Sequence, residues 1–191
     1  SGQLRADYGR SVGVPPPYIC LKDYYENPTT HATNFNPTAS LPSGSISAAQ
    51  IIWNAAHDFN VSPKALLATL QKEAAGNLIS DDWPFPVQYR SAMGYGCPDT
   101  APCDTDYYGF YNQMYNAARQ FRRYATYPSE YRYKTSATNF IQYNPNAGCS
   151  GTNVFIQTQA TASLYNYTPY QPNQAALSNL YGTGDGCSAY G

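Results

Sequence analysis

The sequence predicts a mainly helical α+β domain with a small irregular or β insertion and an irregular N-terminal arm. Three observations point there. Apolar residues recur with a 3.6-residue period in three stretches between Ile51 and Tyr124. Two short β-type runs flank an Asn- and Gly-rich turn around Asn146. The first 44 residues carry Pro15-Pro16-Pro17, Pro28, Pro37 and Pro42 and show no hydrophobic period. We therefore expect residues 1–45 to form an irregular Pro-, Tyr- and Asn-rich arm without helices, packed on a domain spanning 46–191.

Each element has a local cause. Ser47 suits an N-cap, and Ile51, Ile52, Ala55, Ala56 and Phe59 follow it on one helical stripe that Asn60 ends. Ser62-Pro63 restarts the chain with a capping serine and a proline at the first helical position, giving a helix over 63–75 that Gly76 stops. Pro84, Pro86 and Gly94-Tyr95-Gly96 then predict a loop over 79–106. Phe110, Met114, Ala117, Phe121 and Tyr124 recur at steps of four and three, which predicts a long helix. Asn112, Gln113, Arg119, Arg122 and Arg123 are expected on its solvated face. Past Pro128, residues 140–143 and 153–157 read as a hairpin around Asn144-Pro145-Asn146-Ala147-Gly148, with 152–165 open to a partly helical reading. A short helix is expected over 173–180.

The chain has 191 residues, a formal net charge of -1 and 12% charged residues, where about 25% is usual. Its polarity comes from amides, hydroxyls and 20 tyrosines instead. Such aromatic content argues against disorder, and eleven Lys and Arg against twelve acidic residues argue against a nucleic-acid partner. No apolar run approaches the roughly 18 to 20 residues that span a bilayer. A monomer is expected.

Five cysteines show no C-x-x-C spacing, so they read as disulfide candidates rather than zinc ligands. Cys97 and Cys103 would clip a short loop, Cys149 and Cys187 would anchor the tail, and Cys20 is left over; five reduced thiols are the alternative. Disulfides with a Tyr-, Asn- and Thr-rich surface predict a secreted, extracellular protein. The opening Ser1-Gly2-Gln3 is read as a mature or trimmed chain.

The residue that looks chemical is Glu73. It follows Leu66 and Leu70 at steps of four and three, so a carboxylate falls on the stripe that must face the core. Burial and the partial negative charge at a helix C-terminus both favour its protonated form, as a general acid requires. Lys72 is expected to point about a hundred degrees away, given ~3.6 residues per turn. The alternative is a glutamate that reaches from the helix end to a surface partner. Glu26 and Glu130 complete the set of three glutamates, and solvated roles are expected for both.

Ser62-Pro63-Lys64-Ala65-Leu66-Leu67-Ala68 leading to Gln71-Lys72-Glu73 resembles the helix of lysozyme-like proteins and soluble lytic transglycosylases, which closes on their catalytic glutamate. Ser91-Ala92-Met93-Gly94-Tyr95-Gly96 is similar to the small-residue and methionine segment lining that family's glycan cleft. Residues 110–124 resemble its long central helix, and Ala162-Ser163-Leu164-Tyr165-Asn166 its late Tyr-Asn motif. The resemblance covers residues 46–170. It departs at Ala74, where the family has serine, and at Ala92-Met93-Gly94-Tyr95, where it has Gly-Leu-Met-Gln.

The resemblance implies cleavage of the β-1,4 bond between N-acetylmuramic acid and N-acetylglucosamine, with Glu73 protonating the glycosidic oxygen. The partner would be peptidoglycan glycan strands, in association with the cell wall. A second carboxylate would decide between hydrolysis and lytic transglycosylation. Asp99 is the leading candidate, as goose-type lysozymes are similar in carrying an aspartate after the corresponding motif; Asp81, Asp82, Asp104 and Asp106 are others. Met93, Tyr95, Tyr165, Asn166 and Trp83 are the candidate sugar contacts. Alternatives are a non-catalytic wall-glycan-binding module of lysozyme-like shape, or a glycosidase for chitin-like polymers.

No cofactor or metal is expected. Only His31 and His57 exist, and neither has a zinc-motif neighbour. Nucleophile-elbow, Walker and Rossmann signatures are absent, and Asp104-Thr105-Asp106 lacks the glycine and glutamate spacing of a calcium loop.

Overall fold

The computed structural model describes residues 2–28, 41–73, 77–179 and 182–189. Part of the arm, including Pro37 and His31, lies outside these residues, as do the expected stop at Gly76 and the expected helix end at Leu180. The described residues are α+β, mainly helical, with two small two-stranded antiparallel sheets among them. It divides into two compact units, the first running to Arg119 and the second from Gln120.

The first unit opens with α1 (Gly2–Ser11), a helix inside the arm that was expected to hold none. Tertiary contacts hold it where periodicity does not. Arg5 pairs with Asp81 at 3.2 Å and lies 4.0 Å from the centroid of the Phe85 ring. Strands β1 (Tyr25–Glu26) and β2 (Ile46–Ser47) pair antiparallel, joining the arm to the start of the next helix.

Ser47 caps α2 (Ala48–Phe59), accepting a hydrogen bond from the Gln50 N–H at 3.2 Å, and Asn60 ends it in the left-handed conformation at φ 50. Helix α3 (Pro63–Glu73) packs on α2. Together they bury Ile51, Ile52, Ala55, Leu66 and Leu70. A further helix, α4 (Pro86–Arg90), sits inside the expected loop. Pro86 opens it, and the Gln88 side chain returns to accept from the Phe85 N–H at 2.6 Å.

Helix α5 (Phe110–Thr126) is buried over all of residues 110–119. The solvated face expected for Asn112, Gln113 and Arg119 is thereby corrected, since their exposures are 3%, 0% and 8%. Arg122 is exposed as expected. Arg123 is half-buried and pairs with Glu130 at 3.6 Å.

The N-terminus of α5 is capped from outside the helix. The Glu26 carboxylate accepts from the Phe110 N–H at 2.8 Å, from the Tyr111 N–H at 3.3 Å and from the Tyr24 hydroxyl at 3.0 Å. A carboxylate here answers both unsatisfied amides and the positive end of the helix dipole. Gly109, at φ 101, admits it: a β-carbon there would meet Glu26 Oε1 at 3.0 Å. The solvated role expected for Glu26 is therefore wrong.

In the second unit, β3 (Ala137–Gln142) and β4 (Gly151–Ile156) form the expected hairpin, with Ile141 opposite Thr152 and Ala137 opposite Ile156. Asn144 accepts from the Asn146 N–H and Asn146 from the Gly148 N–H, shaping the connection. Thr158 caps α6 (Gln159–Tyr167), and Tyr133, Ile141, Ile156 and Ala162 make this unit's core.

Asn173 caps α7 (Gln174–Ser178) and also binds Asp185 at 2.8 Å. That hydrogen bond, with the amide of Cys187, holds the Asp185 carboxyl below its ordinary range. Cys149 and Cys187 are bridged, as are Cys97 and Cys103, and Cys20 is free. Paired cysteines of this kind belong to oxidising compartments. No helix among the described residues is long and apolar enough to cross a membrane.

Glu26→Ala would leave two helix amides and the Tyr24 hydroxyl without their acceptor. It is expected to lower unfolding stability by about 1 to 2 kcal/mol in urea titrations. An unchanged midpoint would show that packing alone holds the start of α5.

Candidate functional site

The apolar stripe of α3 runs through Leu66 and Leu70, both at 0% exposure, and ends on Glu73. The Glu73 side chain keeps 17% of its surface accessible, so its carboxylate is mostly shielded yet still open on one side. The expectation that Lys72 points away is corrected. Its ammonium lies 3.8 Å from Glu73 Oε1, because a four-carbon stem at a helix end can curl back across the last turn. Burial pushes the Lys72 ammonium below its ordinary value, and the Glu73 carboxylate opposes that shift.

The segment Ser91-Ala92-Met93-Gly94-Tyr95-Gly96 forms the wall beside Glu73. Gly94 adopts the left-handed conformation at φ 64, and its bare α-carbon faces the carboxylate. A β-carbon there would sit 3.2 Å from Glu73 Oε2 and 3.8 Å from Glu73 Cβ. Glycine thus meets two demands at once, a backbone that other residues rarely adopt and a close approach to an acid.

Gln113 holds this wall in place. Its Oε1 accepts from the Met93 N–H at 3.1 Å and the Tyr95 N–H at 3.0 Å, on either side of Gly94. Its Nε2 donates to the Tyr95 carbonyl at 2.9 Å and the Tyr107 carbonyl at 2.8 Å. The amide is fully buried and uses both lone pairs and both protons. Sequence reasoning missed this residue. A usable signal existed: residues 110–118 contain no charge, whereas the exposed Arg122 marks where the helix meets water.

Beyond the wall, the Cys97–Cys103 bridge closes a short loop whose base is tied by the Asp104 N–H to the Gly96 carbonyl at 2.8 Å. Asp99 is exposed on that loop. Among the other candidate carboxylates, Asp104 caps the turn Thr105–Tyr107, and Asp81 is held by Arg5, Gln88 and the Trp83 N–H. The aromatic candidates divide. Tyr95 packs edge-on against Tyr107 at 4.9 Å, and Trp83 keeps 42% of its surface exposed. Met93 is at 0% exposure and serves as core, which leaves it no surface for a sugar.

In the second unit, Tyr165 lies against the Tyr133 ring and the hairpin core, and burial raises its phenol. Asn166 uses its amide on the backbone of Tyr133, accepting from the N–H at 2.9 Å and donating to the carbonyl at 3.0 Å. The structure thus brings Glu73, Gly94 and the residues beside it together within the first unit. Among the described residues, no group of three His, Cys, Asp or Glu side chains is arranged to hold a metal ion.

Gln113→Leu would strand four buried backbone groups of residues 93, 95 and 107. It is expected to cost about 3 to 5 kcal/mol in denaturant unfolding, whereas a cost below about 1 kcal/mol would show that the loop does not depend on this amide. Compared with known proteins, the chain matches no family model, no curated protein and no solved structure.

Proposed function

We infer that this chain is a secreted, wall-associated peptidoglycan-cleaving glycosidase with a lysozyme-like fold. Glu73 donates a proton to the oxygen of the β-1,4 bond between N-acetylmuramic acid and N-acetylglucosamine as oxocarbenium character develops. The observation that carries this reading is the seating of Glu73. An acid at the end of an apolar helix stripe is left 17% accessible and is backed by a left-handed glycine from a segment twenty residues on. They are the catalytic-glutamate helix and the cleft-lining segment of the resemblance to lysozyme-like proteins.

The second step depends on what attacks the anomeric carbon. An inverting enzyme needs a base about 6.5 to 9.5 Å from the acid, and a retaining one needs a nucleophile at about 5 to 5.5 Å. Asp99, on its disulfide-closed loop, is the protein group we assign to this role. Where no carboxylate acts, the muramic 6-hydroxyl closes on the anomeric carbon and the chain is a lytic transglycosylase.

A second reading, a wall-glycan-binding module without catalysis, is favoured by one observation. The Lys72 ammonium lies 3.8 Å from Glu73 Oε1, an ion pair that can hold sugar hydroxyls without any proton being transferred.

Replacing Glu73 by Gln separates the readings, since the amide keeps the shape and cannot deliver a proton. Clearance of wall suspensions is expected to fall about 10²- to 10⁴-fold while wall binding persists. Undiminished clearance by the variant rules out Glu73 as the acid. Binding without clearance by the wild type favours the module.

A further inference from the structure

A second surface of defined chemistry lies on the hairpin of the second unit. The register sets Phe140 opposite Asn153 and Thr138 opposite Phe155. Paired residues share one face of a sheet, as do residues two apart on a strand. The inner face carries Ile141 and Ile156 into this unit's core. Thr138, Phe140, Asn153 and Phe155 therefore stand together on the outer face, and all four are exposed. The rings occupy one diagonal of a square, and an amide and a hydroxyl occupy the other.

Outward phenylalanines break the usual pattern. The solvent side of an antiparallel pair ordinarily carries polar residues, yet Phe140 and Phe155 keep 47% and 59% of their surface exposed. Diagonal positions lie within reach of aromatic side chains, but among the described residues neither ring contacts another. Nor do the Asn153 side-chain amide and the Thr138 hydroxyl hydrogen-bond to any described residue. Asn139, on the inner face, shows the contrast: it accepts from the Lys134 N–H and donates to the Lys134 and Ala137 carbonyls.

Charge and area select the occupant. Residues 135–184 contain no Asp, Glu, Lys, Arg or His, and the Lys134 ammonium just before them is held by the Pro128 and Ser129 carbonyls at 2.7 and 2.8 Å. A nucleic acid, an anionic membrane or a charged peptide would find no counter-charge on this hairpin. The two rings together expose about 200 Å², taking roughly 200 Å² for a whole aromatic side chain, against about 800 Å² that each partner buries in a stable protein complex. What fits is an uncharged ligand of small footprint that carries apolar and hydrogen-bonding surface side by side. A β-1,4-linked glycan has that character: its equatorial hydroxyls point outward along the edges, its C–H ring faces are apolar, and its chain runs as a flat ribbon.

We propose that the outer face of the hairpin binds an uncharged, β-1,4-linked glycan, with Phe140 and Phe155 stacking on sugar rings and Asn153 and Thr138 hydrogen-bonding to their hydroxyls. The site is independent of the Glu73 reading, because it lies in the other unit and requires no bond to be cleaved.

Calorimetric titration of the whole chain with cellohexaose tests it, since this probe is uncharged and extended and lacks the N-acetylmuramic acid that the Glu73 reading requires. Binding is expected, with affinity falling about tenfold in Phe140→Ala and in Phe155→Ala and hardly changing as salt is raised. Maltohexaose, the same sugar in α-linkage with a coiled chain, is expected to bind at least about tenfold more weakly. No binding of cellohexaose, or equal affinity for the two sugars, overturns the proposal on the wild-type chain alone and leaves wall clearance untouched. Unchanged affinity in the folded alanine variants overturns it as well. Self-association in sedimentation that the same variants abolish would make the face an interface between copies, which also overturns it.

Discussion

A buried side-chain amide is tolerable only when every one of its hydrogen-bonding positions is filled, and Gln113 is built to that condition. Water would satisfy the same groups outside, so the net gain per bond is about 1 kcal/mol, but each orphan left inside costs about 1 to 3 kcal/mol. The asymmetry fixes geometry more than it adds stability. Four backbone groups from residues 93, 95 and 107 must converge on one amide plane. Once they do, Gly94 has no freedom to leave the Glu73 carboxylate. The site's shape is therefore set from the long helix, through a neutral group.

The same economy recurs across a chain with few charges. Glu26 closes the N-terminus of α5 from a strand more than eighty residues earlier. Asn166 clamps the backbone of Tyr133, Asn173 caps α7 and holds Asp185, and Gln171 reaches the Ile141 carbonyl at 2.8 Å. Amides and hydroxyls take positions that ion pairs hold in more highly charged proteins. Such bonds are insensitive to salt, and with two disulfides they suit a protein exposed to variable surroundings.

What could be read from the sequence was local. Ser47, Asn60 and Pro63 announced helix ends because capping chemistry acts within a few residues. The hairpin was legible from its Asn-rich turn, and the disulfide pairs emerged from cysteine order. Glu73 stood out because an acid on an apolar stripe violates the pattern around it. Three features were illegible for one reason: partners distant in sequence decide them. Helix α1 has no hydrophobic period and is held by Asp81 and Phe85. Glu26 lies in an unpatterned arm until α5 arrives above it. Gln113 on a helix looks like a solvated residue until the loop that it holds is in place. Lys72 failed differently, since an ideal helical angle ignores how far a flexible stem can bend.

The proposal that Glu73 cleaves a wall glycan beside the Gly94 segment is tested most directly by the mass spectrum of the products. Purified peptidoglycan incubated with the chain is predicted to release soluble muropeptides cut after N-acetylmuramic acid. Reducing ends would show that water attacks, and ends lighter by one water would show that the muramic 6-hydroxyl does. Peptidoglycan that stays intact, or fragments cut at any other bond, would contradict the account.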